Sequence, residues 1–402
     1  MGGSVIESSP EKLELGGLVR AMRRADPSDV ADAMASAAAS LGGADLVLYV
    51  VDFEQQVLEP LPNRSAHEEL PHSEDVNSTV AGRAFLQREV VAVERADGTR
   101  VWAPIVEGSD VTGVLALTLP AGDPAVLAQC EDLGVLAGFA LAIQSRVTDT
   151  YGLHRRRKSM SLAASMQWDL LPPLTLATPR VAVAGMLEPA YEVGGDCFDY
   201  ALNGSQLDFA FMDSMGHGLR SAMLAALALG CYRHDRRESR TLEHIHESVD
   251  RVVASEHRGD GFVTGQIGRL DLDSGVLHWI NAGHPAPMLI RHGQVVGELV
   301  GPPTGPWGTG HGVCTVHQEP LEPGDGVLFY TDGITEGRGT EGFGTERLID
   351  LVDRCAFDEV PIPLIVRHLV RAVVEHHEGA LRDDATVLIV RWQRPADDAA
   401  DR

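Results

Sequence analysis

Residues 196–214 read DCFDYALNGSQLDFAFMDS. Two apolar, aromatic-containing runs flank Asn203-Gly204, the strongest short-range signal for a β-hairpin. With Asn203 and Gly204 as the two central residues of the turn, Leu202 faces Ser205 and Asp196 falls opposite Phe211. Asp213 then lies on the same face as Asp196, one diagonal away, at roughly 7 to 8 Å. Two carboxylates at that separation can close onto a pair of cations spaced about 3.5 to 4 Å.

Runs of the same kind recur outward from this hairpin: RVAVAGML at 180–187, VLHWINA at 276–282, APMLIR at 286–291, GVLFYTD at 326–332 and ATVLIVRW at 385–392. With helical stretches between them, they predict a mostly antiparallel sheet core flanked by helices. Acids sit among glycines at the ends of these runs, in Gly194-Gly195-Asp196, Asp213-Ser214-Met215-Gly216 and Thr331-Asp332-Gly333. Any one of these alone reads as an ordinary turn; together they mark a shared rim. Asp332 ends one run, Asp383 and Asp384 begin another, and antiparallel neighbours bring such positions to one edge. An all-oxygen set of this kind suits hard cations such as Mg²⁺ or Mn²⁺ and lacks the His/Cys mix expected for zinc.

Towards the N-terminus the pattern changes. A helix is predicted from Pro27 to Gly42-Gly43, followed by a strand in ADLVLYVVD. Strand-like runs follow at Glu89–Val93, Val101–Ile105 and VTGVLALTLP, with an acidic loop at Ala66–Asn77 before them. From Ala125 to Leu171 the periodicity is helical, with Leu133, Leu136, Ala140, Ile143 and Val147 spaced as on a coiled-coil seam. This segment reads as a helical connector over 125–172, overlapping the last helix before it, and its seam is a candidate homodimer contact. The basic cluster His154–Lys158 reads as a solvated helix face, and Leu171-Pro172-Pro173 stops the helix.

The segments EPAYEVGGDCFDY, MDSMGHG, NAGHP, LFYTDGITE and RDDAT occur in this order, preceded by Met166–Pro172 (MQWDLLP). They resemble the PPM family (type 2C-like) of metal-dependent protein serine/threonine phosphatases, in its bacterial SpoIIE/RsbU branch. The resemblance implies an antiparallel β-sandwich flanked by helices over 174–392 and two divalent cations, Mn²⁺ or Mg²⁺. It implies that Asp213 bridges both ions, that Asp332 and Asp383 complete one set, and that Asp196 and the Ser214 carbonyl serve the other. Asp384 competes with Asp383 for its role. Asp196, Asp213, Asp332 and Asp383 are thereby the catalytic candidates. The implied reaction is in-line hydrolysis of phosphoserine or phosphothreonine without a covalent intermediate, and the implied substrate is a phosphorylated STAS-type anti-sigma-factor antagonist. Residues 15–145 resemble the GAF family of small-molecule sensors, which implies a ligand-responsive α/β domain and an α+β chain overall.

Neighbouring residues carry blander readings. His217 and His284 are placed to organise their own turns in preference to protonating a leaving group, Asn281 caps a turn, and Cys197 is a small buried filler. No counterpart of the phosphate-holding arginine of the eukaryotic enzymes is assignable. The alternative for the whole region is a non-catalytic phosphatase-like docking module, which the loss of a metal carboxylate would favour; none is lost.

A net charge of −25 over 402 residues argues against nucleic acid and anionic membrane as partners. Five scattered cysteines without a CxxC pair argue against a disulfide framework or a cysteine zinc site. An acidic N-terminus and the absence of an apolar run of about 18 residues predict neither secretion signal nor membrane span, and hence a cytoplasmic protein.

Overall fold

The computed structural model describes residues 20, 22, 26, 29–63, 70–189, 191, 194–257, 261–302, 304–310, 314–336, 343–378, 381 and 383–393. Outside them fall the start of the sensor-like region from residue 15, part of the acidic loop (66–69), residues 190, 192 and 193 of EPAYEVGGDCFDY, and Arg382 of RDDAT. The chain divides into two compact units, Met1–Ser159 and Met160–Arg402.

In chain order the first unit contains α1 (Val30–Ser40), β1 (Ala44–Val51), β2 (Val57–Pro60), β3 (Glu74–Asp75), α2 (Val80–Gln87), β4 (Val91–Arg95), β5 (Gly98–Glu107), β6 (Asp110–Leu119), α3 (Pro124–Gln144) and α4 (Thr150–His154). Its sheet runs β3-β2-β1-β6-β5-β4 with antiparallel pairs. Alternation along β1 sends Leu46, Leu48 and Val50 into a core with α1 and α3, and Val47, Tyr49 and Val51 into a second core with α2.

Residues 125–172 form three separate helices, not one connector rod. α3 is long and apolar enough to cross a membrane by length and composition, yet Val126, Cys130, Leu133, Ala137 and Ala140 lie in the first core. The predicted seam is therefore split: Leu133 and Ala140 are buried, whereas Ile143 and Val147 stand 66% and 69% exposed. Most of the basic cluster lies beyond the end of α4, not on a helix face, and Arg156, Arg157 and Lys158 are exposed, as the solvated reading requires. Arg155 donates to the Val51 carbonyl at 2.9 Å and stacks 4.4 Å from the Phe53 ring centroid, while Arg157 and Lys158 pair with Glu59 and Glu54. These partners lie on and beside the β1–β2 turn.

The second unit contains α5 (Leu162–Leu170), β7 (Thr175–Ala177), β8 (Val181–Glu188), β9 (Asp196–Asn203), β10 (Gln206–Ser214), α6 (Leu219–Arg237), α7 (Leu242–His257), β11 (Val263–Asp271), β12 (Val276–Ala282), β13 (Met288–Arg291), β14 (Gln294–Glu298), β15 (His317–Pro320), β16 (Gly326–Tyr330), α8 (Asp332–Thr335), α9 (Thr345–Asp353), α10 (Ile362–His376) and β17 (Ala385–Trp392). Two antiparallel sheets form, β15-β12-β11-β10-β9 and β14-β13-β16-β17-β8-β7. Phe198, Phe209 and Phe211 of the first meet Val327, Phe329, Leu388 and Val390 of the second, with the Phe209 and Phe329 rings 4.9 Å apart. α6 and α7 cover the outer face of one sheet and α9 and α10 that of the other. This is a helix–sheet–sheet–helix sandwich.

Because Phe209 is wholly buried between the sheets, Phe209→Ala is expected to cost about 3–5 kcal/mol. Urea unfolding of the native and variant chains measures this; a loss below about 1 kcal/mol would show that the inter-sheet core is not built around this ring.

Candidate active site

The hairpin places the first two acids. Asn203 pairs with Gln206, so the central residues are Gly204 and Ser205, not Asn203 and Gly204. Gly204 has φ +62°, and a positive φ at the first central position is what a glycine supplies in II′ hairpin turns. The register is thereby moved from the one the sequence predicted, and Asp213 stands directly opposite Asp196. Opposed Cβ atoms lie about 4.5–5.5 Å apart, closer than a diagonal pair. Both side chains share a face with Phe198 and Phe211, so they point into the rim between the sheets. Asp199 lies on the opposite face, where Arg233 and Arg236 of α6 neutralise it.

The second sheet supplies the other acids. β16 ends at Tyr330, and Asp332 opens the one-turn helix α8 instead of closing the strand. Thr331 ties this end to the start of β17: its amide donates to the Thr386 carbonyl at 3.1 Å, and its hydroxyl oxygen accepts from the Thr386 amide at 3.0 Å. A Cβ at Gly333 would stand 2.0 Å from the Asp384 carbonyl oxygen, so only glycine lets α8 approach the Asp383-Asp384 strand this closely. Asp383 is exposed and Asp384 buried.

The inner acids are bound to each other through the backbone. One oxygen of Asp384, Oδ2, accepts from the Asp196 amide and from Gln167 Nε2, both at 3.1 Å, and the Gln167 amide also donates to the Asp196 carbonyl at 2.7 Å. Thr386 Oγ1 donates to Asp196 Oδ2 at 2.5 Å. The second Asp384 oxygen, Oδ1, is buried without a hydrogen-bond partner. Ser214 is held by Ser221, whose hydroxyl donates to the Ser214 carbonyl at 3.0 Å, leaving that oxygen a second lone pair.

Burial and mutual repulsion hold these groups away from their ordinary range. Burial raises Asp196 well above it, with Asp213 and Asp384 adding repulsion. Asp213 is pushed up to about 7 by burial and then by Asp332 and Asp383. Burial, offset in part by the Asp196 amide and Gln167, takes Asp384 to about 7. Asp332 is raised by burial and then by Asp383 and Glu336. Among the described residues no three His, Cys, Asp or Glu side chains are already drawn together as a finished metal site. The donor set nonetheless fits a hard cation: an orphaned buried carboxylate oxygen and a ring of acids that oppose one another's charge are what such an ion relieves.

The flanking residues are structural. His284 is buried, and burial lowers it to about 4. Its Nε2–H donates to the Tyr330 carbonyl, leaving Nδ1 to accept from Thr264, each at 3.0 Å. A neutral imidazole so engaged is no proton donor near pH 7. Asn281 caps the same turn, accepting from the His284 amide and donating to its carbonyl. His217 is exposed. Cys197 is fully buried on the helix side, and burial pushes its thiol up. Gln167 was given no role in the sequence reading. The available signal was its place in the segment Met166–Pro172 that precedes the sandwich.

Raised acids make the metal-free chain weaker as they ionise. Folded values near 7 against about 4 unfolded mean that this contribution to stability is intact below pH 4 and is lost as pH rises through 7. With chelator present, Asp213→Asn should flatten the fall in urea midpoint between pH 5 and pH 8; an unchanged slope would refute the assignment. Gln167→Leu removes both donated bonds and should lower Mn²⁺ affinity about 10- to 100-fold by calorimetry. Native affinity in that variant would mean that Gln167 does not position the acids.

Residues 203–393 match the family model "Stage II sporulation protein E (SpoIIE)". The chain is 24% identical over 300 residues to Protein IcfG of Synechocystis, covering 65% of this chain and 46% of that protein, so it spans less than half of that relative's length. It is 21% identical over 270 residues to Phosphoserine phosphatase RsbU of Bacillus subtilis, covering 64% of this chain and 77% of that protein. Similar solved structures include the RsbU and RsbW domains of Rv1364c from Mycobacterium tuberculosis, at 27% identity and TM-score 0.49 over 56% of this chain and 63% of that one. The SiaA PP2C domain of Pseudomonas aeruginosa is similar at 24% identity and TM-score 0.48, over 57% of this chain and 94% of that one. The family match over residues 203–393, which hold Asp213, Asp332, Asp383 and Asp384, together with the RsbU likeness, makes the second unit similar to the SpoIIE-type phosphatase domains of the PPM family.

Proposed function

We propose that this chain is a metal-dependent protein serine/threonine phosphatase acting on a regulatory phosphoprotein. The observation that carries the reading is the directly opposed pair Asp196–Asp213, facing Asp332 and Asp383-Asp384 across the rim. Asp213 feels the charges of Asp332, Asp383 and Asp384, while Asp196 feels those of Asp213 and Asp384. That central position, opposite Asp196 and under the charges of the other acids, supports Asp213 as the carboxylate that would serve both of two divalent cations, Mn²⁺ or Mg²⁺. Asp332 and Asp383 would complete one set, and Asp196 with the Ser214 carbonyl would serve the other; Asp384, the alternative to Asp383, stands against the Asp196 amide.

When bound, such a pair supplies phosphoryl polarisation and a nucleophile at neutral pH. The chain's own residues do the positioning. Gln167 and Thr386 fix the inner acids, Thr331 and Gly333 bring Asp332 to them, and His284 clips the β12 turn to Tyr330. The exposed outer acid Asp383 leaves the rim open to a phosphate on a protein surface.

The substrate proposed is a serine-phosphorylated STAS-type anti-sigma-factor antagonist, after the bacterial branch resembled; the RsbU relative is itself named a phosphoserine phosphatase. Residues 174–392 are assigned to catalysis, 15–145 to a GAF-like sensor for a small molecule, and 125–172 to their connection. Phe139, Ile143 and Val147, all exposed on or just beyond α3, are the proposed homodimer contact. A cytoplasmic setting fits this role.

Phosphate release from a serine-phosphorylated STAS protein should require Mn²⁺, stop on addition of chelator, and fall at least about a hundredfold in Asp213→Ala, beyond the loss given by a positioning residue. Metal binding without turnover of any phosphoprotein would instead make the domain a docking module.

A further inference from the structure

We propose that the outward face of α6 is the docking surface for the folded phosphoprotein, which binds through an apolar surface beside its phosphoserine; this rests on the phosphatase reading above. The inner face of α6 is committed to the core through Leu224, Ala225, Ala228, Leu229 and Tyr232. Its outer face is nevertheless apolar as well. No charged residue occurs from Ser221 to Tyr232, and Leu219 and Met223 are 43% and 55% exposed. A helix apolar on both faces is ordinarily covered on both.

Gly230 continues the outer face. It is exposed in the helix interior, and a Cβ there would meet nothing within 4 Å. Glycine is a poor choice inside a helix unless something must come close, and among the described residues nothing does. From Leu219 to Gly230 the strip is about 16 Å long.

The strip starts at the catalytic rim. Met215, 46% exposed, is two residues beyond Asp213, and its amide donates to the Phe262 carbonyl at 3.0 Å. A protein that brings a phosphoserine to Asp213 does so beside the exposed Met215 and Leu219, where α6 begins. Arg220 is the one charge between Leu219 and Gly230, is exposed, and makes no ion pair among the described residues. A cation in the first turn opposes the helix dipole, whereas beside an incoming phosphate it is complementary. A free phosphoamino acid would reach the rim without touching the strip; a folded partner covers it.

The test uses the full chain with Mn²⁺ and a serine-phosphorylated STAS-domain protein as probe. Leu219→Asp and Met223→Asp should each raise KM for the phosphoprotein at least tenfold with kcat changed less than threefold, and Met223→Leu should restore the native KM. Circular dichroism confirms folding of each variant. If both Asp variants keep KM within tenfold of native while the native chain turns over the phosphoprotein, the docking proposal falls and the phosphatase reading stands. If Met223→Asp lowers the sedimentation coefficient of the chain alone, a second copy covers the face and the proposal is wrong. Absence of Mn²⁺-dependent turnover of both the phosphoprotein and p-nitrophenyl phosphate by the native chain defeats the catalytic assignment and the docking surface with it.

Discussion

Repulsion among carboxylates at the mouth of two packed sheets is the constraint on which the second unit depends. Asp196 and Asp213 face each other across one strand pair, Asp332 and Asp383 press on Asp213, and all but Asp383 are partly or wholly withdrawn from water. In a low dielectric such charges repel far more strongly than at a surface. The sandwich must therefore be stable enough to hold groups that oppose its own closure, and its wholly buried aromatic contact between Phe209 and Phe329 is the counterweight. Strain of this kind is relieved when a cation arrives, so affinity for the ion is built by the fold before the ion is present.

Around that cluster, polar groups that would be costly alone satisfy one another. Thr331 and Thr386 exchange hydrogen bonds across β16 and β17 while Thr386 also reaches Asp196 from the other sheet. His284 performs the same service between the β12 turn and Tyr330, and its buried neutral state suits a clip better than an acid catalyst. Gln167 brings α5 into the set. A helix that precedes the sandwich in sequence thus touches the two acids least exposed to solvent.

Much of this was legible. Strands rich in Val, Ile and aromatics announced themselves by alternation, and the acids stood out by their place at strand ends among glycines. What escaped did so for physical reasons. β11, central in its sheet, reads VTGQIGRLD because its glycines make room for others' rings: a Cβ at Gly268 would lie 2.2 Å from Phe209 and one at Gly265 would lie 2.6 Å from Trp307. A strand whose side-chain space is filled by its neighbours carries little hydrophobic signal of its own. α2, carrying a glycine and β-branched Val80, was hidden for a related reason: Gly82 sits against the Val76 backbone, where tertiary contact overrides propensity. The hairpin was recognised but its centre was displaced by one residue, since Asn-Gly favours one turn and Gly-Ser another. The role of Gln167 depends on strands nearly 30 and over 200 residues away, beyond any local pattern.

The Gly204 turn sets the pairing along the whole of β9 and β10, and the two opposed acids lie at the far end of those strands, about 25 Å away. Tight surface turns are ordinarily the cheapest places in a protein to gain or lose a residue. Here a single inserted residue at the tip, slipping one strand past the other, would turn one acid's whole strand face from the rim toward the helices. The length of this loop thus governs the geometry of the acid cluster, although no atom of it approaches those carboxylates.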